Sequence, residues 1–318
     1  MPAVGSVAVV GAGSIGVAWA IVFARAGLPV ALQDPDVGRL AAVPDDLHAR
    51  LEALDRHGLL EEPAASLVAR VRTTYRLADA VDAAVHVQEC APENLELKRR
   101  LFTDLDRVAG RDAVLASSSS ALTCTSFAEQ LPGRSRCMVV HPGNPPYLLP
   151  VAELVPAQFT APDFVDRTDA LLVSAGMSVV RVGVELEGFV FNRLQGALLR
   201  EAYCLVRDGV VSATDLDRVV RDGLGRRWSV VGPFATAELN TRGGLLAHAA
   251  RLGPAYARMG TERGQDDPWT PELVERVSEQ LHEELPPQEW DAHVLRRDEA
   301  LMALERARRD CGIDRSGI

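Results

Sequence analysis

The apolar run Val7-Ala8-Val9-Val10 leads straight into Gly11-Ala12-Gly13-Ser14-Ile15-Gly16, and an acid, Asp34, closes the next apolar run at Pro29–Gln33. No other feature restricts the fold of this chain so strongly. A lone GxGxxG is common. Set after a strand, at the opening of a helix and ahead of a strand-ending acid, it marks a βαβ unit that binds a dinucleotide. Gly11 permits the tight turn, Gly13 lets the backbone approach a pyrophosphate, and Gly16 lets helix and strand pack closely. The helix N-terminus, with Ser14 and Ile15 in its first turn, then faces the phosphates. Asp34 is placed to accept from the adenosine ribose. Its carboxylate would repel a 2′-phosphate, and Pro35 rather than a cation follows it, so the expected cofactor is NAD.

Further strands are expected at Ala84–Gln88, Val114–Ala116, Cys137–Val140, Ala152–Pro156 and Val179–Val182, with helical segments over Val37–Arg70 and Pro92–Ala109. Alternation of this kind predicts a Rossmann-like, doubly wound and mostly parallel α/β sheet. After about Glu187 strand-like runs become rare. Helices are expected over Phe189–Gly209, Ser212–Asp222 (with Ser212 as N-cap), Pro271–Leu285 and Glu289–Arg309. The chain of 318 residues is therefore read as residues 1–187, a nucleotide-binding domain, followed by residues 188–318, an all-α domain for substrate binding and dimerisation.

The composition narrows the partners. A net charge of −10 repels phosphate backbones, which argues against nucleic acid. No apolar stretch is long enough for a membrane span. The five cysteines form no CxxC pair, and reduced cytoplasmic thiols are the simplest reading. The histidines show no metal-ligand spacing, so no metal is expected. Lys98 is the only lysine in the chain.

Chemistry is sought at the carboxyl ends of the parallel strands, where such sheets bind ligands. His141 stands there in His141-Pro142-Gly143-Asn144, and an imidazole suits general base work near neutrality. Glu153 lies inside the apolar run Val151–Pro156, and a carboxylate there needs a partner, for which His141 is the candidate. Taken singly, His141 also reads as a turn histidine, Glu153 as a surface glutamate on an edge strand, and Ser117–Ser120 as a polar loop.

Several segments, in order, resemble the L-3-hydroxyacyl-CoA dehydrogenase superfamily. They are Gly11–Gly16, Val87–Lys98, Ser117–Ser120, His141–Pro146, Val151–Pro156, Gly188–Arg193, Asp215–Asp217, Gly223–Trp228, Gly232-Pro233 and Arg297–Met302. Within the superfamily they resemble the lambda-crystallin/L-gulonate 3-dehydrogenase branch. The resemblance implies that His141 takes the hydroxyl proton while hydride leaves C3, and that Glu153 orients the imidazole. It implies that Ser120 and Asn192 hold the reacting oxygen, that Asn144 supports the site near the nicotinamide, and that Glu93 and Lys98 contact the cofactor. It further implies a homodimer through the helical region. Gly143 and Ala121 depart from the family pattern, where a bulkier and a polar residue are usual, and this bears on the shape of the substrate site. Arg227, in Gly223-Leu-Gly-Arg-Arg227-Trp, is placed by the resemblance to meet substrate; a guanidinium would grip a free carboxylate, although it could equally pair with a carboxylate of the protein. The reading is NAD-dependent oxidation of a small, L-gulonate-like 3-hydroxy acid to the 3-keto acid. The alternatives are a short-chain 3-hydroxyacyl-CoA dehydrogenase and a non-catalytic, crystallin-like NAD-binding protein.

Overall fold

In the computed structural model, residues 5–242, 244–263, 270–284 and 286–311 are described. The chain divides into two compact units, residues 1–193 with 301–306, and residues 194–300 with 307–318.

The first unit carries β1 (Ser6–Val10), α1 (Ser14–Arg25), β2 (Val30–Gln33), α2 (Val37–Arg56), α3 (Ala64–Ala69), β3 (Val71–Thr74), α4 (Leu77–Val81), β4 (Ala84–Glu89) and α5 (Leu95–Val108). After these come β5 (Val114–Ser117), α6 (Cys124–Ala128), β6 (Cys137–Pro142), β7 (Val151–Pro156), α7 (Pro162–Ser174) and β8 (Ser178–Arg181). The strands form one eight-stranded sheet in the order β3-β2-β1-β4-β5-β6-β7-β8. Every neighbouring pair is parallel except β6–β7, which is antiparallel. The fold is thus the expected doubly wound α/β sheet, with one reversal and one strand, β3, that the sequence pattern did not show. The segment read as helix over Val37–Arg70 breaks into α2 and α3.

Both faces of the sheet are covered. On one, Val7, Val9 and Leu32 pack against α1, whose residues Gly16–Ala24 are all buried, and against Leu47, Leu51 and Leu54 of α2. On the other, Ala8, Val10 and Val87 pack with Phe102 and Leu105 of α5 and Phe127 of α6. Near-continuous apolar strands follow from burial on both faces. Met302 completes the first of these cores, and Arg306 donates to the His57 carbonyl.

The helices that follow are α8 (Phe191–Arg207), α9 (Ala213–Val219), α10 (Gly225–Trp228), α11 (Pro233–Asn240), α12 (Gly244–Thr261), α13 (Pro271–Glu284) and α14 (Trp290–Asp310). A π-helical turn, Val220–Leu224, joins α9 to α10. Ser212 caps α9 through the Asp215 N–H and donates to the Asp215 carboxylate, a reciprocal cap. Helix α8 begins two residues later than expected, because Gly188 (φ 74°) and Phe189 (φ 49°) turn through the left-handed region. Leu285, the expected end of α13, lies outside the described residues. No described helix is long and apolar enough to cross a membrane.

Candidate active site

The glycine loop is a cradle with its floor occupied and its mouth open. A side chain on Gly16 would run into the Gly11 carbonyl, and one on Gly11 (φ 108°) would meet the Cys90 carbonyl at 2.8 Å. A side chain on Gly13 would meet nothing within 4 Å, so the open space is on the side where a phosphate would sit. Gly13 caps α1 without a side-chain bond, and no acid lies in the first turn. The first-turn N–H groups of Ser14, Ile15 and Gly16 and the positive helix end are therefore suited to receive an anion. Asp34 is fixed at the end of β2 by the Ala12 N–H (2.8 Å) and the Asp36 N–H (2.9 Å). Arg50, missed in the sequence, holds Ser14: its guanidinium chelates Asp46 and donates to the Ser14 carbonyl (3.1 Å) and hydroxyl (3.2 Å). These residues fit the pyrophosphate and adenosine ribose of a dinucleotide.

His141 and Glu153 meet because β6 and β7 are antiparallel and in a register that sets them directly opposite. Their side chains are 6% and 3% exposed as residues, and His141 Nδ1 lies 2.8 Å from Glu153 Oε2. The other oxygen, Oε1, accepts the N–H groups of Val190 (2.7 Å) and Phe191 (2.9 Å), where α8 begins. Burial alone would raise the Glu153 pKa; the bonds from His141, Phe191 and Val190 outweigh it and hold the carboxyl below its ordinary value. An ionised Glu153 accepts a hydrogen bond from an Nδ1–H, the tautomer that leaves the Nε2 lone pair available. Phe189 and Phe191 stand against the imidazole at 5.7 and 6.0 Å between ring centres.

The serine loop is tied in from both sides. Asn192, beside Phe191 in the first turn of α8, donates its amide to the Ser120 carbonyl at 2.8 Å. Glu93 Oε1 accepts from the Ser119 hydroxyl (2.6 Å) and from the N–H groups of Ser120 (3.1 Å), Ala121 (3.0 Å) and Leu122 (3.2 Å). Ser120, Asn192, His141 and Glu153 are thereby linked in one cluster with the Glu93 carboxylate beneath the loop. Burial works to raise the Glu93 pKa, and these donors, with Lys98 nearby, hold it lower.

Lys98 is 1% exposed and lies beneath this loop. Its ammonium contacts both oxygens of Glu89 at 2.9 Å, with Ser117 Oγ at 3.4 Å and Glu93 at 3.8 Å. Glu89, itself wholly buried, escaped the sequence reading; the usable signal was an acid ending an apolar strand nine residues before the only lysine. A compact ammonium with three donors suits this pocket better than a forked guanidinium. Asn144 is exposed in the loop after β6 and precedes a cis peptide to Pro145. Gly143 has a local cause: a side chain there would meet the Leu149 carbonyl at 2.7 Å, since the 143–150 segment folds over it. Arg227 lies in α10, in the second unit. The thiols of Cys90 and Cys137 are pushed up to about 12 by burial, which makes them poor nucleophiles.

Comparison with known proteins gives the family. The NAD-binding domain model of 3-hydroxyacyl-CoA dehydrogenase matches residues 6–185, and its C-terminal domain model matches residues 188–285. The chain belongs to the 3-hydroxyacyl-CoA dehydrogenase family. It is 38% identical to lambda-crystallin of Oryctolagus cuniculus over 97% of this chain and 98% of that protein. It is 37% identical to L-carnitine dehydrogenase of Streptomyces griseus, over 83% of this chain and 76% of that one. Among solved structures, 5-formyl-3-hydroxy-2-methylpyridine 4-carboxylic acid 5-dehydrogenase, an NAD+-dependent dismutase, aligns with a TM-score of 0.82 at 28% identity, covering 96% of this chain and 98% of that one. The family member described here is an NAD-dependent oxidoreductase acting on CH–OH groups.

Proposed function

We propose that this enzyme oxidises the 3-hydroxyl of a small 3-hydroxy acid with a free carboxylate, of the L-gulonate type, to the 3-keto acid. The observation that carries the chemistry is the buried His141–Glu153 pair. With Nδ1 committed to Glu153, His141 Nε2 takes the hydroxyl proton, and Glu153 stabilises the imidazolium that results. NAD, when bound, accepts the hydride released from C3. Ser120 and Asn192 hold the reacting oxygen, Asn144 lies toward the nicotinamide end, and Glu93 and Lys98 support the cofactor segment. The buried ring of Phe189 against the imidazole lowers the local dielectric on that side and strengthens these polar contacts.

The substrate class rests on Arg227 and on the relatives. L-carnitine is a 3-hydroxy acid with a free carboxylate, and the substrate named for the pyridine dehydrogenase also carries one. A guanidinium on Arg227 would bind such a group in two-pronged fashion. Measuring NAD reduction on L-gulonate, 3-hydroxybutyrate, L-carnitine and 3-hydroxybutyryl-CoA tests the reading directly. Turnover of a free acid well above the CoA thioester supports it, and preference for the thioester overturns it. Arg227→Met should raise KM for the acid about tenfold or more while kcat changes less; an unaltered KM would remove Arg227 from the site.

The protein is further proposed to act as a homodimer. Phe234, Leu239 and Leu246 of the helical unit are exposed apolar side chains, which a second copy could cover on association. The free thiols of the described residues suit a reducing, cytoplasmic setting.

A further inference from the structure

The acid that ends β2 has a cation beside it that the sequence order conceals. Position 35 is proline, so the residue directly after Asp34 offers no charge. The guanidinium instead comes from Arg39, in the first turn of α2, with Nη1 3.9 Å from Asp34 Oδ2 and Nε 3.7 Å from Asp36 Oδ2. Both distances exceed a hydrogen bond, so the donors of the fork are not spent on these contacts. The Arg39 side chain is 56% exposed. The two carboxylates are not alike. Asp36 is engaged as the cap of α2, accepting from the Gly38 N–H (2.8 Å) and the Arg39 N–H (3.2 Å). Asp34 is held by the Ala12 and Asp36 N–H groups, each oxygen keeping a lone pair for a ribose hydroxyl.

We propose that Arg39 is the cation of a latent 2′-phosphate subsite at the adenosine end of the cofactor site, and that the Asp34 charge keeps it closed. The chemistry follows from charge counting. As built, the mouth of β2 carries two carboxylates and one guanidinium, a net negative field that favours a 2′-hydroxyl as donor to Asp34 and rejects a 2′-phosphate. Neutralising Asp34 leaves Arg39 against Asp36, whose charge already faces the positive end of α2. A phosphate on the ribose 2′-oxygen would then sit within reach of a two-pronged donor. Arg39 thus lowers the barrier against NADP even in the native enzyme, and it is the residue that would bind the phosphate once the acid is gone.

The test is displacement of bound NADH by NAD+ or NADP+, followed by fluorescence, on the full chain. The quantity compared is the ratio of the NADP+ to the NAD+ dissociation constant. Arg39→Gln should raise that ratio about tenfold, the scale of one charge-assisted contact. Asp34→Ser, which keeps an acceptor for the Ala12 N–H, should lower it about 100-fold. Asp34→Ser/Arg39→Gln should lose most of that gain. The NADP+ affinity of Asp34→Ser should also fall with added salt more steeply than that of the double variant. Equal ratios for Asp34→Ser with and without Arg39 overturn the proposal. Should Asp34→Ser fail to fold, the Arg39→Gln ratio decides alone: no rise means that Arg39 has no part in reading the 2′-position.

Discussion

The two units of this chain distribute polarity in opposite ways. The α/β unit buries ionisable groups: Glu89, Lys98, His141 and Glu153 are each no more than 6% exposed, and each is partnered. The helical unit exposes its apolar side chains: Phe234 is 78% and Leu246 85% exposed, and no described residue of α12 is buried. A charge withdrawn from water costs several kcal/mol unless it is paired, so the first unit carries groups kept for chemistry or for holding chemistry in place. An apolar surface left in water forgoes about 25 cal/mol per Å² that burial would return, so the second unit offers the surface that the proposed dimer would cover. On that proposal one region works on a small molecule and the other associates.

The sharpest way to break this comparison is at the proposed catalytic pair, His141 and Glu153. Glu153→Gln retains an oxygen for the Val190 and Phe191 N–H groups but presents an amide N–H to His141 Nδ1. The imidazole must then accept at Nδ1 and carry its proton on Nε2, the wrong tautomer for a base. The expected loss is about 10²- to 10⁴-fold in kcat, with the circular dichroism spectrum and NADH binding retained. A loss confined to KM would show that the buried carboxylate serves binding and not proton transfer.

Next in size is the ammonium beneath the serine loop. Lys98→Met leaves Glu89 buried and unpaired, with an expected destabilisation of about 3–5 kcal/mol. Adding Glu89→Leu should restore most of it, because the remaining apolar pair needs no counter-charge. Denaturant unfolding measures both. The control lies in the other unit, where Arg296 and Glu289 pair at 3.3 Å with both side chains more than half exposed. Arg296→Ala should move the unfolding midpoint no further than the scatter of the measurement, since water already solvates the pair. Comparable losses at the two sites would erase the distinction.

How much of this was legible in the sequence follows the same division. The β1–α1–β2 unit and Asp34 were readable because a glycine spacing, a strand and an acid had to coincide. His141 and Glu153 were both visible, but not the strand reversal that sets them face to face. Strand β3 (Val71-Arg-Thr-Thr74) was invisible because it is short, polar and only partly buried. The start of α8 was misplaced because a phenylalanine, Phe189, takes a positive φ that its side chain ordinarily avoids. Lys98 was noticed as an oddity, yet its burial in α5 depends on Glu89 of β4 and Ser117 of β5, and local pattern does not encode that. Arg39 escaped because the sequence rule looks one residue beyond the acid and not five.

A third measure is acid sensitivity, which should belong to the α/β unit. His86 is buried on β4 with Nε2 against Gln88 and no partner at Nδ1, and burial lowers its pKa from 6.5 to about 4. The unfolded chain therefore binds a proton near pH 6.5 that the folded chain refuses until about pH 4. Stability is intact above pH 6.5, falls as pH drops through the window to 4, and levels off below it. The loss from this residue amounts to about 3 kcal/mol. His86→Leu should flatten that part of the profile. A profile of unchanged slope would place the acid sensitivity elsewhere.

The smallest effect tests the helical unit. Leu246→Glu puts a charge on the exposed surface of the first turn of α12, and Val37→Glu puts one at an exposed site in the first turn of α2, so the local helix setting is the same. If a second copy covers α12, the first change buries an unpaired carboxylate on assembly and should weaken the dimer about tenfold to 100-fold, measured by sedimentation across a dilution series. The second change adds an acid at a helix N-terminus, where it is favourable, and should leave association alone. The contrast separates a covered surface from one that is merely apolar: both positions lose a hydrophobic side chain, and only one of them should lose a partner. A wild-type protein that sediments as a monomer at all concentrations would instead mean that the apolar helices face something other than their own copy.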